Sequence, residues 1–214
     1  MRVTKFGHAC VRISSGDVDV VIDPGGFTGR EAVQGASAVL VTHEHMDHLD
    51  ADNLRATEAP VYTIAAVAEQ IAANAPDVSE RVTVVRPGES FDPGLPVTAV
   101  GEWHAVIHEE LPRFSNSGYL VEAEGRALYH PGDSYTLPGR DVDVLFLPIS
   151  GPWNKLSEVV DFARTVQAPR NVAVHELVAS EIGLGLLDAR LDAMLGSRQL
   201  GYQRVPAGED VPVD

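Results

Sequence analysis

Residues 38–48 read AVLVTHEHMDH and join an apolar strand to a cluster of ligand-type side chains. The first five residues are apolar or β-branched, which predicts a short buried strand. The next six hold three of the eight histidines of the chain around a carboxylate. Because this cluster follows the strand directly, we expect it at the carboxyl end of the strand, on a rigid edge of a sheet. Such a density of imidazoles is typical of a metal site and not of a solvated loop.

The spacing of the cluster predicts two ions. In extended backbone His43 and His45 project to the same side and can reach one ion at about 2.0 to 2.1 Å. Asp47 and His48 follow where the chain must turn, and they can face a second ion at the roughly 3.5 to 4 Å separation of two-metal hydrolytic sites. Imidazole and carboxylate ligands without thiolate suit Zn²⁺, with Mn²⁺ or Fe²⁺ as alternatives.

Further polar residues stand at the ends of other strand-like runs. His104 follows Val97 to Trp103, Asp133 follows Ala127 to Tyr129, and His175 follows Val172 to Val174. Alone, Asp133 would be an ordinary turn residue and His175 a core histidine. With a cluster that needs ligands, the four strand ends are expected to converge on one cleft, where the Gly132 turn aims the Asp133 carboxylate over the sheet edge.

Other polar residues leave alternatives open. His104 and His108 compete for one ligand position, and the chain between them does not fix its conformation; His104 is favoured because it is nearer the strand end. His8 and His130 lack a ligand spacing, so each is a candidate for a contact to a metal ligand, for a substrate contact or for a structural role. If His104 is the ligand, His108 lies on the cleft wall, where it could contact substrate, or on the surface. Lys155 could hold an anionic substrate group, or it could be a surface residue at a helix start.

Composition limits the function classes. The 214 residues are interpreted as a single domain over 1–214, and a formal charge of −15 argues against nucleic acid and anionic membranes as partners. A small-molecule substrate is expected, and a homo-oligomer is compatible with the sequence. Cys10 is the only cysteine, and the first residues lack the apolar core of a signal peptide, so a cytoplasmic location is expected.

The pattern along the chain repeats once: several strands, then helix. This order predicts an α/β fold with two packed sheets and outer helices. Strands are predicted near 2–6, 9–14, 17–22, 38–42, 61–64, 82–85, 97–103, 117–122, 126–130, 142–147, 172–174 and 202–205, and helices over 65–75, over 157–166 and on Leu184, Leu187, Leu191 and Leu195.

The histidine block, His104, the Gly132-Asp133 turn and His175 resemble, in order and spacing, the metallo-β-lactamase superfamily. Within it, Gly7-His8 and the run from Tyr129 to Asp133 resemble the compact branch related to L-ascorbate-6-phosphate lactonase. The resemblance implies an αββα sandwich of two mixed sheets with the metal site along one edge. By motif it implies a first ion on His43, His45 and His104, a second on Asp47, His48 and His175, and Asp133 between them.

The expected activity is hydrolysis of a small lactone, ester or phosphoester by metal-activated water, which Asp47 could orient or deprotonate. One alternative is a metal-dependent nuclease, against which the acidic charge argues. Another is a metal-binding scaffold or sensor without turnover. Structural zinc is usually closed by four protein ligands, whereas seven candidate ligands favour an open, catalytic centre.

Overall fold

The computed structural model describes residues 1–213, whose thirteen strands form two sheets. The first sheet contains β1 to β6, which are Arg2–Lys5, Val11–Ser15, Val18–Ile22, Ala38–Val41, Val61–Thr63 and Val82–Val84. The second contains β7 to β13, which are Ser90–Phe91, Val97–Val100, Gly118–Ala123, Arg126–His130, Val144–Pro148, Arg170–Val174 and Gly201–Gln203. Four α-helices, α1 to α4, are Ala51–Arg55, Ala65–Asn74, Leu156–Val166 and Glu181–Gly196, and 3₁₀ turns are Arg30–Val33 and Ser79–Arg81.

Both sheets are built in the same order. Each begins with antiparallel neighbours, β1 to β3 in the first sheet and β7 to β10 in the second. Each then continues with parallel strands, β3 to β6 and β10 to β13. The parallel strands end on one edge of their sheet, so the residues that follow them can meet. The repeated order predicted from the sequence is therefore a property of the fold.

Three apolar layers hold the four structural layers together. The central layer packs the inner faces of the sheets, for example Leu40 of β4 with Leu128 and Phe146 of the second sheet. The outer layers pack helix α2 on the first sheet, and α3 and α4 on the second. Helix α3 buries Val159, Val160, Phe162, Ala163 and Val166, the spacing of a single helical face. The result is the αββα sandwich of two mixed sheets expected from the sequence.

The structure corrects several element bounds. Strand β8 ends at Val100 and not at Trp103, which makes only an isolated bridge to Ser115. The two-residue strand β7 and the short helix α1, whose first turn is capped by the Asp50 carboxylate, were not predicted. In α4, Leu184, Leu191 and Leu195 are buried as predicted, whereas Leu187 is half-buried. No helix among residues 1–213 has the length and apolar character needed to cross a membrane.

Candidate metal centre

The ends of three strands deliver ligand-type side chains to one place. One residue separates His43 from the end of β4. Asp133 follows β10 after a tight turn, and His175 directly follows β12. The turn before Asp133 needs Gly132, whose φ is +63° and whose position would bring an added Cβ within 2.3 Å of the Asn116 side-chain oxygen. Glycine is therefore required there both for the backbone angle and for space.

The first group of ligand-type atoms belongs to His43, His45, His104 and Asp133, which all lie within 4.8 Å of one another. His43 Nε2 lies 3.0 Å from His45 Nδ1, so the two imidazoles face one point as their spacing predicted. His104 is 1 % exposed, and its Nε2 lies 3.4 Å from Asp133 Oδ2. His104 reaches the group from an irregular segment, because β8 ends four residues earlier.

A second group adjoins the first through Asp133. Asp47, His48 and His175 contribute to it, and Asp47 Oδ2 lies 3.3 Å from His175 Nε2. Asp133 Oδ1 lies 3.1 Å from His48 Nε2, and its Oδ2 lies 3.0 Å from His175 Nε2 and 3.8 Å from His43 Nε2. The Asp133 carboxylate therefore stands between the two groups, where its charge can offset the repulsion of two cations.

Hydrogen bonds orient three of the imidazoles toward this point. His43 Nδ1 lies 3.0 Å from Thr42 Oγ1, His48 Nδ1 lies 2.7 Å from Asp23 Oδ2, and His104 Nδ1 lies 2.5 Å from the Ala105 carbonyl. Carboxylates and carbonyls only accept, so Nδ1 carries the proton in His48 and His104. Nε2 is then the free ligand atom on each ring, as in metal sites where a second partner fixes the tautomer.

His8 differs from the other histidines. Its Nδ1 accepts the Leu177 backbone N–H at 3.2 Å, so the proton of the neutral ring is on Nε2. That Nε2–H donates to Asp47 Oδ2 at 3.1 Å. Although His8 lies within 4.8 Å of the second group, this hydrogen-bond pattern makes it a partner of Asp47 and not a ligand.

The chemistry of the donor set fits divalent cations. Buried polar atoms in proteins are normally hydrogen-bonded. Among residues 1–213, the buried polar atoms without such a partner include five at this site, namely Nε2 of His48, His104 and His175, Nδ1 of His175 and Oδ1 of Asp133. Nitrogen and oxygen atoms of this kind, converging without thiolate, suit zinc, manganese or iron.

Electrostatics within the centre favour charged carboxylates. The imidazoles of His48 and His175 outweigh the effect of burial and hold the pKa of Asp133 well below its usual range. Burial opposes a charge on His175, but Asp133 and Asp47 outweigh burial and raise the pKa of His175 to about 9. For His43 burial dominates and lowers the pKa, which favours the neutral ring. Cations that bind here replace protons, because a ligating imidazole must be neutral.

Asp23 and Thr42 are functional residues that the sequence analysis missed. Asp23 is fully buried and accepts three hydrogen bonds, from the Thr42 N–H and Oγ1–H and from His48 Nδ1–H. The run Asp23-Pro24-Gly25-Gly26 is typical of a turn and by itself indicates no role at a metal site. The available signal was position, since Asp23 directly follows β3, the parallel neighbour of β4.

The other predicted contact residues occupy different environments. His108 is exposed on the loop after β8, where its Nδ1 accepts the Glu110 N–H at 3.2 Å, and it joins neither ligand group. His130 is 1 % exposed; its Nε2 donates to the Ala9 carbonyl and its Nδ1 accepts the Gly132 N–H. His130 and His108 thus occupy the structural and surface positions that were open alternatives, and a substrate contact of His8, His108 or His130 stays a prediction. Lys155 lines a cavity beside His104.

Comparison with known proteins gives a family. The model of the beta-lactamase superfamily domain matches residues 2–175. The Mycobacterium tuberculosis protein Rv0786c is 38 % identical over 203 residues, with 91 % of this chain and 92 % of the relative covered. A UPF0173 metal-dependent hydrolase of Thermococcus onnurineus is 26 % identical over 192 residues, with 80 % and 82 % covered.

A solved structure shares the fold at low identity. Igni18, a metallo hydrolase from the archaeon Ignicoccus hospitalis, superposes with a TM-score of 0.74 at 17 % identity, covering 98 % of this chain and 97 % of its own. The family match spans most of the chain, and the TM-score shows that the neighbour shares its fold. The chain belongs to the beta-lactamase superfamily.

Proposed function

We propose that this member of the beta-lactamase superfamily is a metal-dependent hydrolase that holds two divalent ions and activates water against a small lactone, ester or phosphoester. The observation that carries the proposal is the position of Asp133, whose carboxylate contacts both histidine groups. It lies 3.1 Å from His48 and 3.0 Å from His175 of the second group, and 3.4 Å from His104 of the first. The names of the Thermococcus onnurineus relative and of Igni18, a metal-dependent hydrolase and a metallo hydrolase, agree with it.

The chain offers seven residues to the two ions. His43, His45 and His104 would hold the first, Asp47, His48 and His175 the second, and Asp133 would be shared. Zn²⁺ is the expected metal, with Mn²⁺ or Fe²⁺ as alternatives. Such ions would supply the Lewis acidity that lowers the pKa of a water toward neutrality and polarises the scissile carbonyl or phosphoryl oxygen.

Asp47 is the carboxylate that is placed to contact the attacking water. Its side chain is 17 % exposed, whereas that of Asp133 is 3 % exposed, so Asp47 is the more accessible to water and substrate. His8 Nε2–H holds its Oδ2, and the histidines around it keep its pKa below the usual range despite burial. Asp47 is therefore ionised at neutral pH and can orient the attacking water by a hydrogen bond, whereas the lowered pKa makes it a weak acceptor of the proton of that water.

Two rival functions fit less well. A nuclease needs a basic surface along which a phosphate backbone can lie, and the net charge of −15 opposes such an approach. A scaffold or sensor without turnover needs no access to its metals, whereas here a cavity of about 620 Å³ includes His104 in its wall. A small-molecule substrate that enters this cavity is the better match.

Elemental analysis followed by a hydrolysis screen tests the proposal. Purified protein should hold close to two metal ions per chain, and the metal-loaded protein should cleave at least one of the lactones, phosphodiesters and thioesters in the screen. His104→Ala is the matched negative control. Metal-loaded protein that holds a single ion would overturn the proposal of two ions. Protein that holds two ions but turns over no substrate class would overturn the proposal of catalysis. Tight binding of single-stranded RNA at physiological salt would favour the nuclease instead.

A further inference from the structure

A cavity adjoins the candidate metal centre at His104. Its volume of about 620 Å³ is within the roughly 300 to 1,000 Å³ typical of small-molecule pockets. Three segments surround it: the loop after β8, residues 134–136 after Asp133, and the start of α3. The side chains that matter for its chemistry are Trp103, Arg113, Tyr135, Trp153, Lys155 and Glu158.

Aromatic rings form the wall between the cavity and the metal centre. Trp153 is 6 % exposed, and its Nε1–H donates to Asp133 Oδ2 at 3.1 Å. Its ring lies edge-on to His104 and Tyr135, with centroids 5.7 Å and 5.3 Å away. Trp103 is 46 % exposed. These are the only two tryptophans of the chain, so the cavity concentrates flat apolar surface directly beside the candidate ligands.

Two cations line the same cavity. Only two of the 16 basic residues of the chain are lysines, Lys5 and Lys155. Lys5 is fully buried in an ion pair with Glu176, whereas the Lys155 side chain is 73 % exposed on the cavity. The Arg113 guanidinium lies 5.2 Å from the centre of the Trp103 ring, a cation–π arrangement.

The charges of the cavity are incompletely neutralised. Lys155 has one carboxylate nearby, Glu158 at 3.7 Å, in a solvent-exposed pair that contributes little. No carboxylate of residues 1–213 forms an ion pair with Arg113 at 4.0 Å or less. The lining therefore carries two cations against one carboxylate in a chain with 31 acidic and 16 basic residues. An anion that enters the cavity therefore finds more positive than negative charge directly beside the candidate metal centre.

We propose that this cavity selects substrates with an anionic group on a flat apolar body, with Lys155 and Arg113 as counter-charges and Trp103 and Trp153 as the apolar contact. The inference rests on the proposed hydrolase function and narrows its substrate class to aryl or similarly planar carboxylates and phosphates that carry the scissile bond. Trp153 lies between the cavity and Asp133, because it lines the former and its Nε1–H donates to the latter.

Intrinsic tryptophan fluorescence tests binding without turnover, since every tryptophan of the chain lines the cavity. Metal-loaded protein at low ionic strength is titrated with phenylacetate, phenylphosphonate and the neutral phenylacetamide. The anions should bind about tenfold more tightly than the amide, and salt should weaken only the anions. Whichever of carboxylate and phosphonate binds more tightly identifies the anionic group.

Charge-neutral variants identify the counter-charges. Lys155→Gln and Arg113→Gln should each weaken anion binding about threefold to fivefold, because exposed charge pairs are individually weak. Phenylacetamide affinity should stay at the parent value. Arg126→Gln is the matched control, because Arg126 pairs with Asp143 outside the cavity. Equal binding of amide and anions, or anion binding unchanged in both variants, overturns the inference; the latter result would mean that the metals capture the anion.

Kinetics separate a failure of the inference from a failure of the proposed function. A neutral aryl ester and its carboxylate-bearing analogue are compared as substrates. Hydrolysis of both with equal kcat/KM contradicts the inference and leaves the hydrolase function standing. If neither ester is hydrolysed, the hydrolase function is contradicted. The fluorescence titration alone then tests whether the cavity binds anions. The expected result is a lower KM for the anionic ester, a preference that Lys155→Gln diminishes with little change in kcat.

Discussion

Replacing Asp23 by asparagine should weaken the metal centre although Asp23 is not a predicted ligand. The substitution keeps the shape, and asparagine tolerates the left-handed backbone of this position, where φ is +51°. It removes one acceptor, however. Asp23 Oδ1 accepts the Thr42 N–H at 2.8 Å, while Oδ2 accepts Thr42 Oγ1–H and His48 Nδ1–H, both at 2.7 Å.

The amide can satisfy only one side of this network. With its NH₂ toward the Thr42 backbone, two donors face each other, and an unsatisfied buried donor costs about 1 to 3 kcal/mol of stability. With its NH₂ toward His48, Nδ1 must become the acceptor, so the ring proton moves to Nε2. Nε2 is the atom that faces Asp133 and would bind the metal. Losing the hydrogen-bond partner that orients a ligating histidine typically costs about 10 to 100-fold in metal affinity.

Calorimetric titration of metal into the metal-free Asp23→Asn protein measures the affinity, thermal unfolding measures the stability, and ¹⁵N spectra of the His48 ring identify its tautomer. The second orientation, with reduced affinity for one ion, is the expected outcome. Asp143→Asn is the matched control, because that carboxylate also accepts a backbone N–H, from Ala127 at 2.8 Å, but lies on the surface away from the centre. Parent-like affinity together with parent-like stability would refute the argument.

Other substitutions test the remaining contacts of the centre. Asp133→Asn should keep the fold but lower second-metal affinity and turnover, and unchanged stoichiometry would reduce Asp133 to a turn residue. His104→Ala should empty the first site and abolish hydrolysis. The loss of metal affinity should be at least the roughly 10 to 100-fold typical of losing a residue that only hydrogen-bonds to a ligand. His108→Ala should keep the parent metal content, and the reverse pattern would make His108 the ligand in place of His104. His8→Ala should lower second-metal affinity through Asp47 while first-metal affinity stays constant, as separate titrations can measure. Chelation should lower the melting temperature by several degrees, since saturation at about 100 times Kd adds about 2.7 kcal/mol, and an unchanged melting temperature would contradict a centre that stabilises the native state.

The sequence predicted those parts of the centre that depend on local pattern. The strand before His43 is apolar and β-branched. His43 and His45 face one point, as expected for alternate residues of extended backbone, although β4 ends at Val41. His175 and Asp133 could be predicted from strand ends together with the histidine cluster, since parallel strands place their carboxyl ends on one edge. The predicted bound of β8 was wrong because tertiary contacts decide it, although His104, the favoured candidate, does join the first ligand group. His104 is held by a loop, after a strand that is three residues shorter than predicted, and the choice between His104 and His108 depends on that loop.

Long-range partners were beyond the sequence pattern for a similar reason. Asp23 lies in an Asp-Pro-Gly-Gly run whose composition is typical of a turn, and only the pairing of β3 with β4 brings it to Thr42 and His48. His8 was considered for a substrate contact, but its ring is enclosed between two segments that are 39 and 169 residues away in the chain. Hydrogen-bond roles of this kind require the packed sheets.

Backbone strain shows how the two sheets are joined at the centre. Three of the six non-glycine residues with positive φ in residues 1–213 are His8, Asp23 and His175, at +58°, +51° and +61°. Each such residue costs of order 1 to 3 kcal/mol, and it persists only where surrounding contacts fix it. His175 N–H donates to the His8 carbonyl at 3.3 Å, and the Leu177 N–H donates to the His8 ring, so the strained turns of opposite sheets hold each other.

The buried ion pair between Lys5 and Glu176, 2.7 Å apart, connects the same two turns. Glycine at position 8 or 175 would relieve the strain but would also delete an imidazole that the centre uses. The left-handed turns are therefore tied to the orientation of these side chains, and the second ligand group forms only when the first and second sheets are packed together.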